Sequence, residues 1–201
     1  MQLLDKNPEI QLPVSLNISD IRLQVTPEQF DRLSELNPDL RLEVNRNGEL
    51  IVMPPTGGDT GKRNFKLIVQ FGNWVEQNGM GEGFDSSTGY NFMAFGGKNP
   101  SPDVSWIERS RLEGVDTSGL IPVIPDFVIE LRSKTDLLKD IRAKMEEYQR
   151  VGVRLGWLIN PQQQQVEIYR LGQEVEVLES PISLSGEDVL PGFTLDLGSI
   201  L

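Results

Sequence analysis

Asp103, Glu130 and Lys144 are the side chains of this sequence best placed to do chemistry. Asp103 lies in Ser101-Pro102-Asp103-Val104-Ser105-Trp106-Ile107, and Glu130 in Asp126-Phe127-Val128-Ile129-Glu130-Leu131-Arg132. Both stretches alternate as β-strands do, which puts Asp103 and Ser105 on one face, and Glu130 and Arg132 on one face. Lys144 falls inside an apolar stripe of helical spacing made by Leu137, Leu138, Ile141, Met145, Tyr148 and Val151. A lysine on a buried stripe is costly unless it meets a carboxylate or a ligand. Two strand carboxylates can hold a hard cation that acidifies a bound water and polarises a phosphate. A nearby lysine then orients the nucleophile or stabilises developing charge, and the backbone carbonyl of Leu131 is a natural extra ligand. Spacing alone is equally compatible with a buried Glu130–Lys144 salt bridge in an ordinary α/β core.

The elements that must position these residues are legible around them. Residues 125–161 read as strand, tight loop, amphipathic helix, turn and strand. Thr26-Pro27-Glu28-Gln29 is a helix start with a capping box, and that helix should end near Asn37-Pro38. Residues 40–55 read as a hairpin turning at Asn47-Gly48. In it Glu43 is most simply a solvated strand residue, and it joins the chemistry only if its face looks toward Glu130. Residues 56–79 form a glycine-rich loop running into a helix with Phe65, Ile68, Val69, Gly72 and Val75 inward. The loop lacks the P-loop order, but Lys62, Arg63 and Lys66 are candidates for touching phosphates. Residues 81–99 suggest a meander of short strands, 108–124 a polar connection, 165–180 a hairpin turning at Gly172, and 182–201 a short closing strand and turn. With no repeat and no linker, we expect an N-terminal arm over residues 1–25 and one domain over 26–201, an α/β layer fold with a mixed sheet.

Composition excludes several function classes. The chain has neither cysteine nor histidine. Disulfides, thiolate catalysis, Ser-His-Asp triads and histidine-ligated zinc are therefore out, and a metal should be an oxygen-preferring ion such as magnesium or manganese. No apolar run approaches the roughly 18 residues of a membrane span, and no signal sequence opens the chain, so a cytoplasmic location without membrane attachment is expected. The net charge of -11 argues against broad non-specific DNA binding. The charge is unevenly spread, however, because residues 131–155 carry seven basic side chains against four acidic ones.

Ser-Pro-Asp103-Val, then Pro-Asp-Phe-Val-Ile-Glu130-Leu-Arg-Ser133, then Lys144-Met-Glu-Glu-Tyr148-x-x-x-Gly-Val-x-x-Gly-Trp-Leu-Ile-Asn-Pro161 together resemble the Uma-two family. That family is grouped with restriction endonucleases of the PD-(D/E)XK superfamily, and the resemblance covers roughly residues 26–201. It implies a restriction-endonuclease-like core, a central mixed β-sheet flanked by helices with additional β-hairpins. It also implies Mg2+ (or Mn2+) dependence, DNA as substrate and a homodimer. Carried over by position, it implies Asp103, Glu130, Lys144 and Glu43 as catalytic residues and Asp103, Glu130 and Leu131 at the metal. Arg132, Ser133 and Tyr148 become candidates for contacts to substrate or to the acids. The superfamily lysine is replaced by Arg132, which stays protonated and cannot serve as a base, so the lysine would come from the helix at Lys144. The competing expectation is a catalytically weak or inactive nuclease-fold module that binds nucleic acid or protein.

Overall fold

The computed structural model describes residues 22–45, 47–53 and 55–201. Its centre is a six-stranded mixed sheet in the order β3 (Gly81–Asp85), β4 (Val104–Glu108), β5 (Phe127–Leu131), β6 (Leu155–Asn160), β7 (Gln165–Arg170), β8 (Glu176–Glu179). Only β5 and β6 run parallel. A parallel pair needs a crossover, and α4 (Leu138–Val151) supplies it. The strand–loop–helix–turn–strand reading of residues 125–161 thus matches the centre of the sheet.

Alternation on the strands sends side chains to two different cores. Phe127, Ile129 and Leu131 of β5, with Trp106 and Trp157 of its neighbours, pack under α2 (Gly58–Asn78) and the C-terminal β9 (Ser183–Ser185) and β10 (Thr194–Asp196). Phe127 meets Trp157 edge-on at 4.8 Å, and Trp157 stacks on Phe193 at 6.0 Å. Val128 and Leu158 point to the other face, where α4 and the segment between β3 and β5 cover them with Tyr90, Phe92, Met145 and Tyr148. At Gly156 a side chain would drive a Cβ to 2.7 Å from the Met145 methyl, so glycine lets α4 sit close on the sheet.

The local signals mostly hold. Thr26 and Gln29 form the full capping box of α1 (Pro27–Leu36), with bonds of 3.2 and 2.9 Å, and the helix stops at Asn37. β1 (Arg41–Val44) and β2 (Leu50–Met53) form the antiparallel hairpin, with Gly48 at φ +78° in its turn. Hydrogen bonding by Val44 N–H to the Asn99 carbonyl (3.2 Å) docks that hairpin beside the segment that leads to Asp103.

Three expectations are corrected. In α2 the buried residues are Leu67, Phe71, Trp74 and Val75, whereas Phe65 and Val69 are exposed. The helix carries two overlapping apolar stripes, and its rotation is set by the one with larger aromatics. Gln70 exchanges hydrogen bonds with the Asp196 backbone (3.0 and 2.8 Å), and Trp74 donates to the Pro191 carbonyl. The stretch after β3 is no meander: residues 89–95 hold a single bridge from Tyr90 to Ile121 and a 3-10 turn, Met93–Phe95. The connection before β5 is less polar than expected, since it includes α3 (Arg109–Leu112) and buries Ile121 and Ile124. The expected arm lies mostly outside the described residues, though Gln24 bridges Glu49. Among the described residues, no helix is long and apolar enough to cross a membrane.

Candidate functional site

Four elements converge on Lys144. The α4 stripe turns its side chain inward, and there the ammonium Nζ donates to Glu43 Oε1 of β1 (3.1 Å) and to the Ser101 carbonyl (2.9 Å). Its third neighbour is Glu130 Oε1 of β5, at 2.9 Å. One turn further along α4, the Tyr148 hydroxyl donates to the same Glu130 oxygen at 2.8 Å. Asp103 stands in the bend before β4, where its Oδ2 accepts the Leu131 N–H at 2.8 Å. That bond ties Asp103 to the peptide next to Glu130. Glu43 and Glu130 are only 5% and 7% exposed and both pair with Lys144, while the half-buried Asp103 stands near enough to act on that lysine through its charge.

The electrostatics follow from that imbalance. Burial, reinforced by Asp103 and Glu43 and opposed by Lys144, pushes the Glu130 carboxyl up to about 8. Burial likewise raises Asp103, against the Leu131 N–H and Lys144. For Lys144 burial works against the charge, but Glu130, Glu43 and Asp103 outweigh it and hold the ammonium protonated beyond its usual range. Tyr148 is raised by burial and then by Glu130, so it stays a neutral donor.

The structure thus brings Asp103, Glu130, Lys144, Glu43 and Tyr148 together and leaves two expected residues apart. Arg132 lies past the end of β5, where its guanidinium donates to Asn160 Oδ1 (3.2 Å) and to the Asp136 carbonyl (3.3 Å). Ser133 donates its N–H to Asp136 Oδ2 at 2.7 Å. Both belong to the loop that closes the β5–α4 corner. Glu43 is not the solvated strand residue of the simplest reading. Two contributors were invisible to side-chain reasoning, because both are backbone: the Ser101 carbonyl and the Leu131 N–H.

The fold family implies a divalent cation, which needs oxygen donors not already committed to other partners. Among the described residues, no three carboxylates are arranged as a metal cage, since Glu43 is turned to Lys144. Two carboxylates remain. The hydrogen bonds they accept from described residues fall on Asp103 Oδ2 and Glu130 Oε1, leaving Oδ1 and Oε2 open. Magnesium is commonly held by one or two carboxylates and completes its shell with water and phosphate. Asp103 and Glu130, short of positive charge, fit that role.

A mixed six-stranded sheet flanked by helices, with Asp103, Glu130 and Lys144 gathered beside it, defines an α/β protein with a buried acid–lysine cluster. The family model Uma2, described as "Putative restriction endonuclease", matches residues 27–198, and the chain belongs to that family. A crystal structure of a "putative nuclease belonging to DUF820" from Anabaena variabilis superposes with a TM-score of 0.73 at 23% identity, covering 88% of this chain and 97% of that one. At that identity the likeness bears on the fold. A search of the curated proteins finds no match.

Proposed function

We propose that the chain is a metal-dependent DNA endonuclease whose reacting centre is Asp103, Glu130 and Lys144, and that residues 26–201 work as one domain behind an N-terminal arm. The observation that carries this reading is the shared buried lysine. Glu43 and Glu130 pair with one ammonium, Asp103 stands near it, and Asp103 and Glu130 each keep an oxygen that accepts no hydrogen bond from a described residue. Asp103 and Glu130 would hold Mg2+ or Mn2+, with the Leu131 carbonyl as a further donor. When bound, the cation supplies charge neutralisation at the phosphate and an acidified water. In hydrolysis a water oxygen adds to phosphorus and the P–O bond to the leaving sugar breaks.

Lys144, protonated throughout, offers positive charge to the phosphate oxygens and does not act as a base. Glu43 and the Ser101 carbonyl position Lys144, and Tyr148 positions Glu130. Arg132 and Ser133 fix the loop at the end of β5. Cutting both strands of a duplex calls for two sites, so a two-fold homodimer in the cytoplasm completes the reading.

A second reading, a nucleic-acid- or protein-binding module without turnover, draws on the three acceptors that already saturate Lys144 and on the net charge of -11. Plasmid nicking with Mg2+ or Mn2+, repeated after chelation and with Lys144→Ala, separates the two. The nuclease reading expects nicking that chelation stops and that Lys144→Ala lowers by about a hundredfold or more. Absence of nicking with either metal would favour the binding module.

A further inference from the structure

The apolar stripe that α2 leaves exposed has a pattern of its own. Lys62, Phe65, Val69, Gly72 and Glu76 recur at alternating spacings of three and four, the seam spacing of packed helices. Phe65 is 68% and Val69 43% exposed, and Lys62 and Glu76 are exposed as well. Gly72 lies mid-helix, where glycine weakens a helix. The chain's own packing does not require it, since a Cβ there would meet nothing within 4 Å. Beside Gly72, between α2 and β3, lies a cavity of about 170 Å3 lined by Ile68, Phe71, Gly72 and Val75 and rimmed by Glu76. Its floor is apolar, but Glu82 and Asp85 line it as well and it is half open to solvent.

We infer that this stripe is a self-complementary surface on which a second copy of the chain docks, its α2 antiparallel to the first about a two-fold axis at Val69. The register follows from the helix period. With Val69 opposite Val69, Phe65 faces the second copy's Gly72 and the cavity beside it, and Lys62 faces its Glu76. Each contact occurs twice, as an isologous interface requires. Charge complementarity selects this occupant. A second α2 meets the basic end of the stripe with its acidic end, whereas a nucleic acid lying along the stripe would run onto Glu76 and onto Glu82 and Asp85 of the cavity. The inference names the surface of the two-fold arrangement proposed above. Its test reads mass and not cleavage: a monomer would remove the homodimer from that reading and leave its reacting centre standing, and a dimer says nothing of cleavage.

Sedimentation velocity on the full chain, from micromolar to near-millimolar concentration, is the test. Wild type should form a dimer, and Phe65→Asp should weaken it by about a hundredfold in Kd. Lys62→Glu and Glu76→Lys should each weaken it by about tenfold, and the double variant Lys62→Glu/Glu76→Lys should restore it. All these side chains are exposed, so folding is not at stake. A monomer at every concentration would overturn the inference, as would a dimer indifferent to Phe65→Asp or charge reversals that the double variant fails to rescue. Loss of nucleic-acid retention by Phe65→Asp with unchanged mass would assign the stripe to nucleic acid instead.

Discussion

Two buried glutamates sit on the same face of the sheet with one strand between them. Glu130 of β5 lies level with Leu158 of β6, which lies level with Glu167 of β7. Each meets a cation of α4 and a tyrosine hydroxyl: Lys144 and Tyr148 for Glu130, Arg142 and Tyr169 for Glu167. At Glu167 every acceptor is taken. Arg142 grips both oxygens with bonds of 2.6 to 3.2 Å, Tyr169 adds one of 2.8 Å, and one acid faces one guanidinium. At Glu130 both donors fall on Oε1, and the lysine is shared with Glu43 and lies near Asp103. A bidentate guanidinium finishes a structural pair, whereas a point-charge ammonium shared by two acids, with a third nearby, leaves oxygens and negative charge for something else. That difference is what favours the Glu130 cluster over the Glu167 pair as the reacting centre proposed above.

That contrast can be broken by substitution. Removing the scaffold cation should have the largest effect: Arg142→Ala strands a carboxylate that is 3% exposed and should cost about 3 kcal/mol, roughly 6–12 °C in Tm by calorimetry. Magnesium should act next. At about ten times its Kd it should raise Tm by the equivalent of about 1.4 kcal/mol in wild type and not in Asp103→Asn. The pH response has a definite sign. Glu130 is raised from 4.5 to about 8 by burial, so the folded chain holds a proton that the unfolded chain releases. The resulting stability is fully present below about 4.5 and is lost as pH rises through about 8. Metal-free wild type should therefore melt lower at about pH 9 than at about pH 6, and Glu130→Gln, neutral at both, should flatten that fall. Smallest of all, Asp103→Asn should leave Tm unchanged or raise it by up to about 1 kcal/mol, because the site already has excess negative charge.

Much of this was readable in the sequence where the causes are local. The strand alternation around Glu130 and the misfit of Lys144 on its apolar stripe predict their meeting, because each is a short-range pattern with a strong energetic reason. Glu43 is different. Its contact with Lys144 spans 101 positions and depends on how the β1–β2 hairpin docks through Val44, so only the family resemblance pointed to it. The rotation of α2 was misread because Phe65 and Val69 compete with Leu67, Phe71 and Trp74, and tertiary packing against Trp157 and Phe193 decides between the two stripes. The Glu167–Arg142 pair was missed outright, since a glutamate alternating on a strand looks the same whether solvent or a guanidinium meets it.

The most direct measurement is plasmid nicking in magnesium by Asp103→Asn and Glu167→Gln purified side by side with wild type, each rate normalised to its folded fraction. If the unsatisfied cluster is the reacting centre, Asp103→Asn should lose about a hundredfold or more in rate while melting like wild type, and Glu167→Gln should cut normally per folded molecule despite a lower Tm. Nicking by Asp103→Asn at the wild-type rate would contradict a reacting centre at Asp103, Glu130 and Lys144.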